Sequence, residues 1–146
     1  MEKREIGKSG IMATAIGLGT WAAGGDSFWS EKTEDSKTVE AIRAAIDGGI
    51  TLIDTAPRYG FGHSEELVGQ AIRGYDREKL VISTKCGLWW KDNEGTLQNS
   101  RDGHTVYRNL SKRTIKIEIE DSLRRIGTDY IDTYITHWQS KPPFVT

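Results

Sequence analysis

The sequence has a single cysteine, Cys86, three prolines and no long apolar run. A lone cysteine cannot form an internal disulfide, so the fold has to rest on a buried apolar core. No stretch approaches the ~20 consecutive apolar residues that a membrane-spanning helix needs. The opening residues, MEKREIGKSG, are charged where an export signal would be apolar, and together these features predict a soluble, cytoplasmic protein. Charge of one sign is also missing: 20 basic against 21 acidic residues give a net charge of −1, which removes the electrostatic case for nucleic acid or an anionic membrane as partner. The three histidines, His63, His104 and His137, lack the spacing of a zinc site, so no metal is expected. Asn109-Leu110-Ser111 has the form of a glycosylation acceptor, but without an export signal it reads as a loop running into a helix cap. Cys86 itself reads as a small buried filler.

What is there is a repeating pattern on a chain of 146 residues, a length that suits one domain. Glu2–Ile6 and Ile11–Ala15 flank Gly7-Lys8-Ser9-Gly10 and predict a hairpin. Ile16–Thr20 is a short apolar strand, followed by a Gly- and Trp-rich loop to about residue 33. Val39, Ile42 and Ile46 then fall three and four apart between Asp35 and Asp47, which predicts a helix with one face inward. Ile50–Asp54 reads as a strand, Ser64 as the cap of a helix to about Ile72, and Leu80–Lys85 as the next strand. A long polar loop separates Lys85 from a helix capped by Ser111 and stopped at Gly127, and Tyr130–Thr136 forms the last strand. Alternation of strands and helices predicts a parallel sheet with right-handed crossovers, so the carboxyl ends of the strands share one edge.

Buried parallel strands should read as unbroken apolar runs, and three here do not. They end at Asp54, Lys85 and His137. Barrels and open α/β enzymes place their chemistry at that edge. The competing readings are an Asp54–Lys85 ion pair that serves packing alone and a histidine satisfied within the core. Gly17-Leu18-Gly19-Thr20-Trp21-Ala22 fits a loose dinucleotide fingerprint, yet helical periodicity starts only near Asp35, too late for a helix that begins within the glycines.

The stretch Asp54-Thr55-Ala56-Pro57-Arg58-Tyr59-Gly60, followed by Gly62-His63-Ser64-Glu65, resembles the aldo-keto reductase signature. Ser83-Thr84-Lys85, Tyr134-Ile135-Thr136-His137-Trp138 and Gly17-Leu18-Gly19-Thr20-Trp21 resemble further motifs of that family, in the same order. The resemblance implies an α/β chain of the (β/α)8 TIM-barrel family, covering an N-terminal hairpin and about the first four βα units. It implies reduction of aldehydes or ketones by NADP(H), with NAD(H) as the alternative, acting on a small carbonyl substrate. Tyr59 would donate the proton, Lys85 would stabilise the resulting phenolate, and Asp54 would hold Lys85 charged and lie near the nicotinamide ribose. His137 would hydrogen-bond the carbonyl oxygen. Gly19, Thr20, Trp21 and Asp54 would contact the cofactor. Trp21, Trp89, Trp90 and Trp138 cluster after strands one, three and four, and Trp21, Trp89 and Trp138 are expected to line the substrate pocket, with core or lid packing as the competing reading for each.

A closed eight-stranded barrel takes ~250 residues, so residues 1–146 are expected to be the N-terminal half of one barrel domain, cut after its fourth strand. Phosphate-gripping loops follow strands seven and eight of such barrels, and the isolated chain is therefore expected to bind the dinucleotide poorly and to associate through open edges. A non-enzymatic nicotinamide-binding or channel-associated subunit, and an inactive half-barrel, remain alternative functions for the same pattern. Oligomeric state is not legible.

Overall fold

The structure, a computed structural model, describes residues 1–25, 27, 29 and 34–145. Asp26, Phe28 and residues 30–33 of the expected loop, and Thr146, lie outside the described residues.

Strands β1 (Lys3–Glu5) and β2 (Met12–Thr14) form the expected antiparallel hairpin. It docks on the start of the next strand pair by reciprocal hydrogen bonds, Thr14 N to Thr51 Oγ1 at 3.1 Å and Thr51 N to Thr14 Oγ1 at 3.0 Å. Strands β3 (Leu18–Gly19), β4 (Leu52–Asp54) and β5 (Val81–Cys86) follow, and β9 (Thr133–Thr136) completes a four-stranded sheet in the order β3-β4-β5-β9. Every pairing in that sheet is parallel, as the strand–helix alternation requires.

Helices α1 (Asp35–Asp47), α2 (His63–Ile72) and α3 (Lys112–Ile126) cover one face. Side chains alternate across a strand, so Ile53 and Ile82 point to the helices while Asp54 and Lys85 point to the other side. Ile53 and Ile82 are sealed into a core with Ile42, Val68, Ala71, Ile72, Leu80 and Ile126. At ~25 cal/mol per Å2 of apolar surface removed from water, each of the isoleucine, leucine and valine side chains contributes roughly 1.5–3 kcal/mol. Gly69 lets α2 and α3 approach closely, because a Cβ there would lie 2.5 Å from the Ile126 carbonyl oxygen.

α3 begins and ends as expected. Ser111 accepts from the Thr114 amide, and Gly127, at φ 72°, closes the helix with its N–H on the Leu123 carbonyl. α2 does not begin as expected. Its cap is Gly62 at φ 105°, and Ser64 lies inside the first turn. The Ser64 hydroxyl is instead fully buried, donating toward Thr20 O and Thr20 Oγ1, each at 2.8 Å, and lying 3.1 Å from Thr55 Oγ1. It ties the ends of β3 and β4 to α2.

The segment expected as a long polar loop is a second sheet. β6 (Leu88–Trp89), β7 (Thr96–Arg101) and β8 (His104–Arg108) run antiparallel in the order β6-β8-β7. Asn109, wholly buried, fixes its base: the side-chain amide donates to Glu94 O at 2.9 Å and its oxygen accepts from Ser111 N at 2.9 Å. The expected loop and cap are therefore correct for Asn109–Ser111, with the asparagine committed to internal bonds.

Candidate active site

The backbone ladder brings the expected polar residues to one rim. Thr20 N bonds to Asp54 O, Thr55 N to Ser83 O and His137 N to Cys86 O, so each loop leaves its strand locked to its neighbour. Lys85 projects from β5 and donates to Asp54 Oδ2 and to the Thr55 carbonyl, both at 2.8 Å. An ammonium has three protons, and these bonds use two. The Lys85 nitrogen lies 4.8 Å from the centre of the Tyr59 ring.

Tyr59 is placed by a close backbone approach. Gly60 sits at φ 64°, and a Cβ on it would come within 2.0 Å of the Gly24 carbonyl oxygen. Only paired glycines permit this contact, which wedges the short turn Ala22–Gly24 against Tyr59-Gly60. The Tyr59 ring meets His137 edge-on, with centroids 5.6 Å apart and planes at 89°, and stacks on Trp21 at 6.2 Å. Burial, reinforced by the positive charge of Lys85 and Arg58 and opposed by Asp54, pulls the His137 imidazole down to about 4. His137 is thus neutral at pH 7 and keeps one N–H donor and one ring acceptor.

A cavity of about 330 Å3 opens beside these groups, lined by Tyr59, His137, Trp21, Trp138, Leu88 and residues of β7. A larger hollow, about 770 Å3, lies near the carboxyl ends of α2 and α3, far in the fold from the strand ends that carry Asp54 and Lys85. Of the three tryptophans expected around the substrate, Trp21 and Trp138 line the smaller cavity and Trp89 does not. Trp89 is buried, its indole N–H donates to Asp92 Oδ1 at 2.5 Å, and the Arg113 guanidinium lies over its ring at 5.2 Å. Its neighbour Leu88 faces the cavity, and strand alternation turns Trp89 away. Trp90 packs against Phe61 at 5.3 Å.

Gly19 and Thr20 lie just before Trp21, at the end of β3. Thr20 is buried and its hydroxyl donates to Asp54 O at 3.0 Å, so it buttresses the rim from within. Residues not anticipated are Gln98, Asn99 and Arg101 of β7 and Arg58, all on the cavity wall. Cys86 is buried and pushed up to about 11, first by burial, then by Glu118, which keeps its thiol protonated and unreactive.

A parallel α/β sheet with lysine, aspartate, tyrosine and histidine meeting at the carboxyl ends of its strands defines the chain as part of a barrel-type α/β protein. The model of the Aldo/keto reductase family matches residues 15–142, and the chain belongs to that family. It is 46% identical over 146 residues to the NADH-specific methylglyoxal reductase of Escherichia coli, a match covering 100% of this chain and 44% of the relative. Among solved structures it is similar to the glycerol dehydrogenase of Gluconobacter oxydans, with 38% identity and a TM-score of 0.74 over 94% of this chain and 39% of that one. An aldo-keto reductase of Klebsiella pneumoniae in complex with NADPH is 37% identical, with a TM-score of 0.68 over 90% of this chain and 38% of that one. These neighbours are (β/α)8 barrels, and the chain spans less than half the length of the relatives it matches.

Proposed function

We propose that the chain carries the proton-transferring side of an NAD(P)H-dependent reductase that converts small aldehydes or ketones to alcohols. The observation that carries this reading is the meeting of Lys85, Asp54, Tyr59 and His137 at one rim, beside a cavity. Reduced nicotinamide, when bound, would supply the hydride. The residues fit such a group: Asp54 bonds Lys85 through Oδ2 only, and its carboxylate is 39% exposed, leaving Oδ1 able to accept from a ribose hydroxyl. One relative is named NADH-specific and another was solved with NADPH, so the reading extends to either dinucleotide.

Reduction adds a hydride to the carbonyl carbon and a proton to its oxygen. Tyr59 gives up the proton, and its phenolate forms beside a cation already held in place, Lys85. The third Lys85 proton has no acceptor among the described residues, so it is free to serve the phenolate oxygen. Asp54 and the Thr55 carbonyl hold Lys85 in place and aim it. Neutral His137 donates from one ring nitrogen to the carbonyl oxygen and fixes the approach of the carbon. Trp21 and Trp138 shape the apolar wall and help exclude water.

The test uses a completed barrel, this chain joined to the second half of a related reductase. NAD(P)H consumption against a panel of small aldehydes and diketones is the readout, with the chain alone as comparison. The completed barrel is expected to reduce several of them, at rates at least about a hundredfold above those of residues 1–146 alone, which span less than half the length of their relatives. A completed barrel that binds NADPH yet leaves every carbonyl unreduced contradicts the reading and favours a non-enzymatic role.

A further inference from the structure

β7 contributes two neighbouring side chains, Gln98 and Asn99, to the cavity wall. In an unbroken strand successive side chains face opposite ways, so two neighbours cannot both line one cavity. The ladder supplies the cause. Leu97 pairs with Tyr107 and Asn99 pairs with Val106, which leaves Gln98 as the extra residue of a bulge. A bulge adds one residue, bends the strand and re-aims a side chain. Leu97 is left 60% exposed on the outer side.

One further observation points to a ligand at Gln98, and another to a fixed position of the hairpin beside the site. Gln98 Oε1 is shielded from solvent and has no hydrogen-bond partner among the described residues, a cost that a packing role alone does not offset. The hairpin is also held in fixed register with the site. Arg101 Nε donates to Ser27 Oγ at 2.7 Å, and His104 lies on the Phe61 ring with centroids 3.9 Å apart, two residues beyond Tyr59. On the far side Ser140 Oγ donates to Arg108 O at 2.9 Å.

We propose that Gln98 and Asn99 are specificity-determining residues, and that they hydrogen-bond an oxygen substituent next to the carbonyl being reduced. The cavity then selects short α-hydroxycarbonyl or dicarbonyl compounds over simple ketones of the same size. This rests on the reductase reading above. An amide offers both a donor and an acceptor, and its last torsion can turn either one toward the ligand. A hydroxyl or second carbonyl satisfies it, whereas an alkyl group in the same place buries it unpaired.

The experiment compares kcat/KM for hydroxyacetone and butanone, which differ by one hydroxyl in place of a methyl. It is run on the completed barrel and on its Gln98→Leu and Asn99→Leu variants, with folding checked by circular dichroism. A variant from which Gln98 is deleted, restoring regular alternation, serves as an independent probe should Gln98→Leu fail to fold. The ratio favouring hydroxyacetone is expected to fall about tenfold in each variant, the effect of one lost hydrogen bond. Loss of general packing would lower both rates together and leave the ratio intact, and a ratio within about twofold of the starting value in all folded variants overturns the proposal. If the unsubstituted barrel consumes neither ketone nor any other carbonyl, the reductase reading fails first and this inference with it.

Discussion

Two ion pairs stand at opposite ends of the parallel sheet, and they are built differently. At the amino-terminal ends of the strands, Arg77 donates to Asp132 Oδ2 at 2.7 Å, to Thr128 Oγ1, and to the Leu80 and Tyr130 carbonyls. Asp132 Oδ2 also accepts from the Ile82 amide at 2.8 Å, and the guanidinium covers the Tyr130 ring at 4.0 Å. At the carboxyl ends, Lys85 and Asp54 make one bond to each other and one to a carbonyl. The first pair uses four of the five guanidinium N–H donors and pins β9 to β5. The second keeps a proton and a carboxylate oxygen in reserve, beside an aromatic ring and a cavity. Exposure and position, more than the ion pair itself, separate the two: the Asp54 carboxylate is 39% exposed and that of Asp132 15%.

The largest expected effect breaks the comparison at the functional end. Tyr59→Phe keeps the ring that packs on Trp21 and His137 but removes the proposed proton donor, and the completed barrel is expected to lose about 10²–10⁴-fold in reduction rate with its circular dichroism unchanged. At the bracing end, Arg77→Met strands Asp132 and is expected to cost about 3–5 kcal/mol of stability in urea unfolding. The folded fraction should still turn over at the original rate.

A buried carboxylate outside both pairs, Glu118 of α3, adds a pH dependence. Burial pushes it up to about 7, against the opposing pull of the Gly87 amide, which donates to both of its oxygens at 3.1 and 3.0 Å. The folded protein keeps this proton to higher pH than the unfolded chain does. Stability from this group is therefore whole below about 4.5 and falls as pH rises through 7, by on the order of 3 kcal/mol. Glu118→Gln should flatten that slope in unfolding curves taken from pH 4.5 to 8. His137 runs the other way: its folded form resists protonation, so its contribution to stability is present above 6.5 and is lost as pH falls toward about 4. The smallest effect expected is at the α3 cap, where Ser111→Ala should cost about 1 kcal/mol in the same assay and leave the rim untouched.

The sheet and helices were legible because their signal is periodic: Ile42, Ile53, Ile82 and Ile126 are apolar wherever the 3.6- or two-residue period points at the core. Asp54, Lys85 and His137 were legible because each interrupts such a run. The hairpin of β7 and β8 was not, since Thr96-Leu97-Gln98-Asn99-Ser100-Arg101 has polar residues on both faces and a bulge that breaks its alternation. That polarity belongs to a strand with one side on a polar cavity and the other in water. Ser64 looked like a cap from its acidic neighbours Glu65 and Glu66, but its partners are Thr20 and Thr55, distant in sequence. Glu65 is itself sealed between Thr84 at 2.6 Å and Arg125 at 2.7 Å, a tertiary arrangement with no local signature. The direction of Trp89 was not legible, because the order of residues shows which aromatics follow a strand and only the strand's register shows which way they face.

The central claim is that Tyr59 and Lys85 act as one unit in proton transfer while Arg77 only braces the sheet. A double-mutant cycle on the reduction rate of the completed barrel tests it directly, using Tyr59→Phe, Lys85→Met and their combination, with Arg77→Met paired to Tyr59→Phe as the reference. The account predicts that Lys85→Met costs little further once Tyr59 is already phenylalanine, while per folded molecule Arg77→Met shows no coupling. Fully additive losses for Tyr59→Phe and Lys85→Met would contradict it.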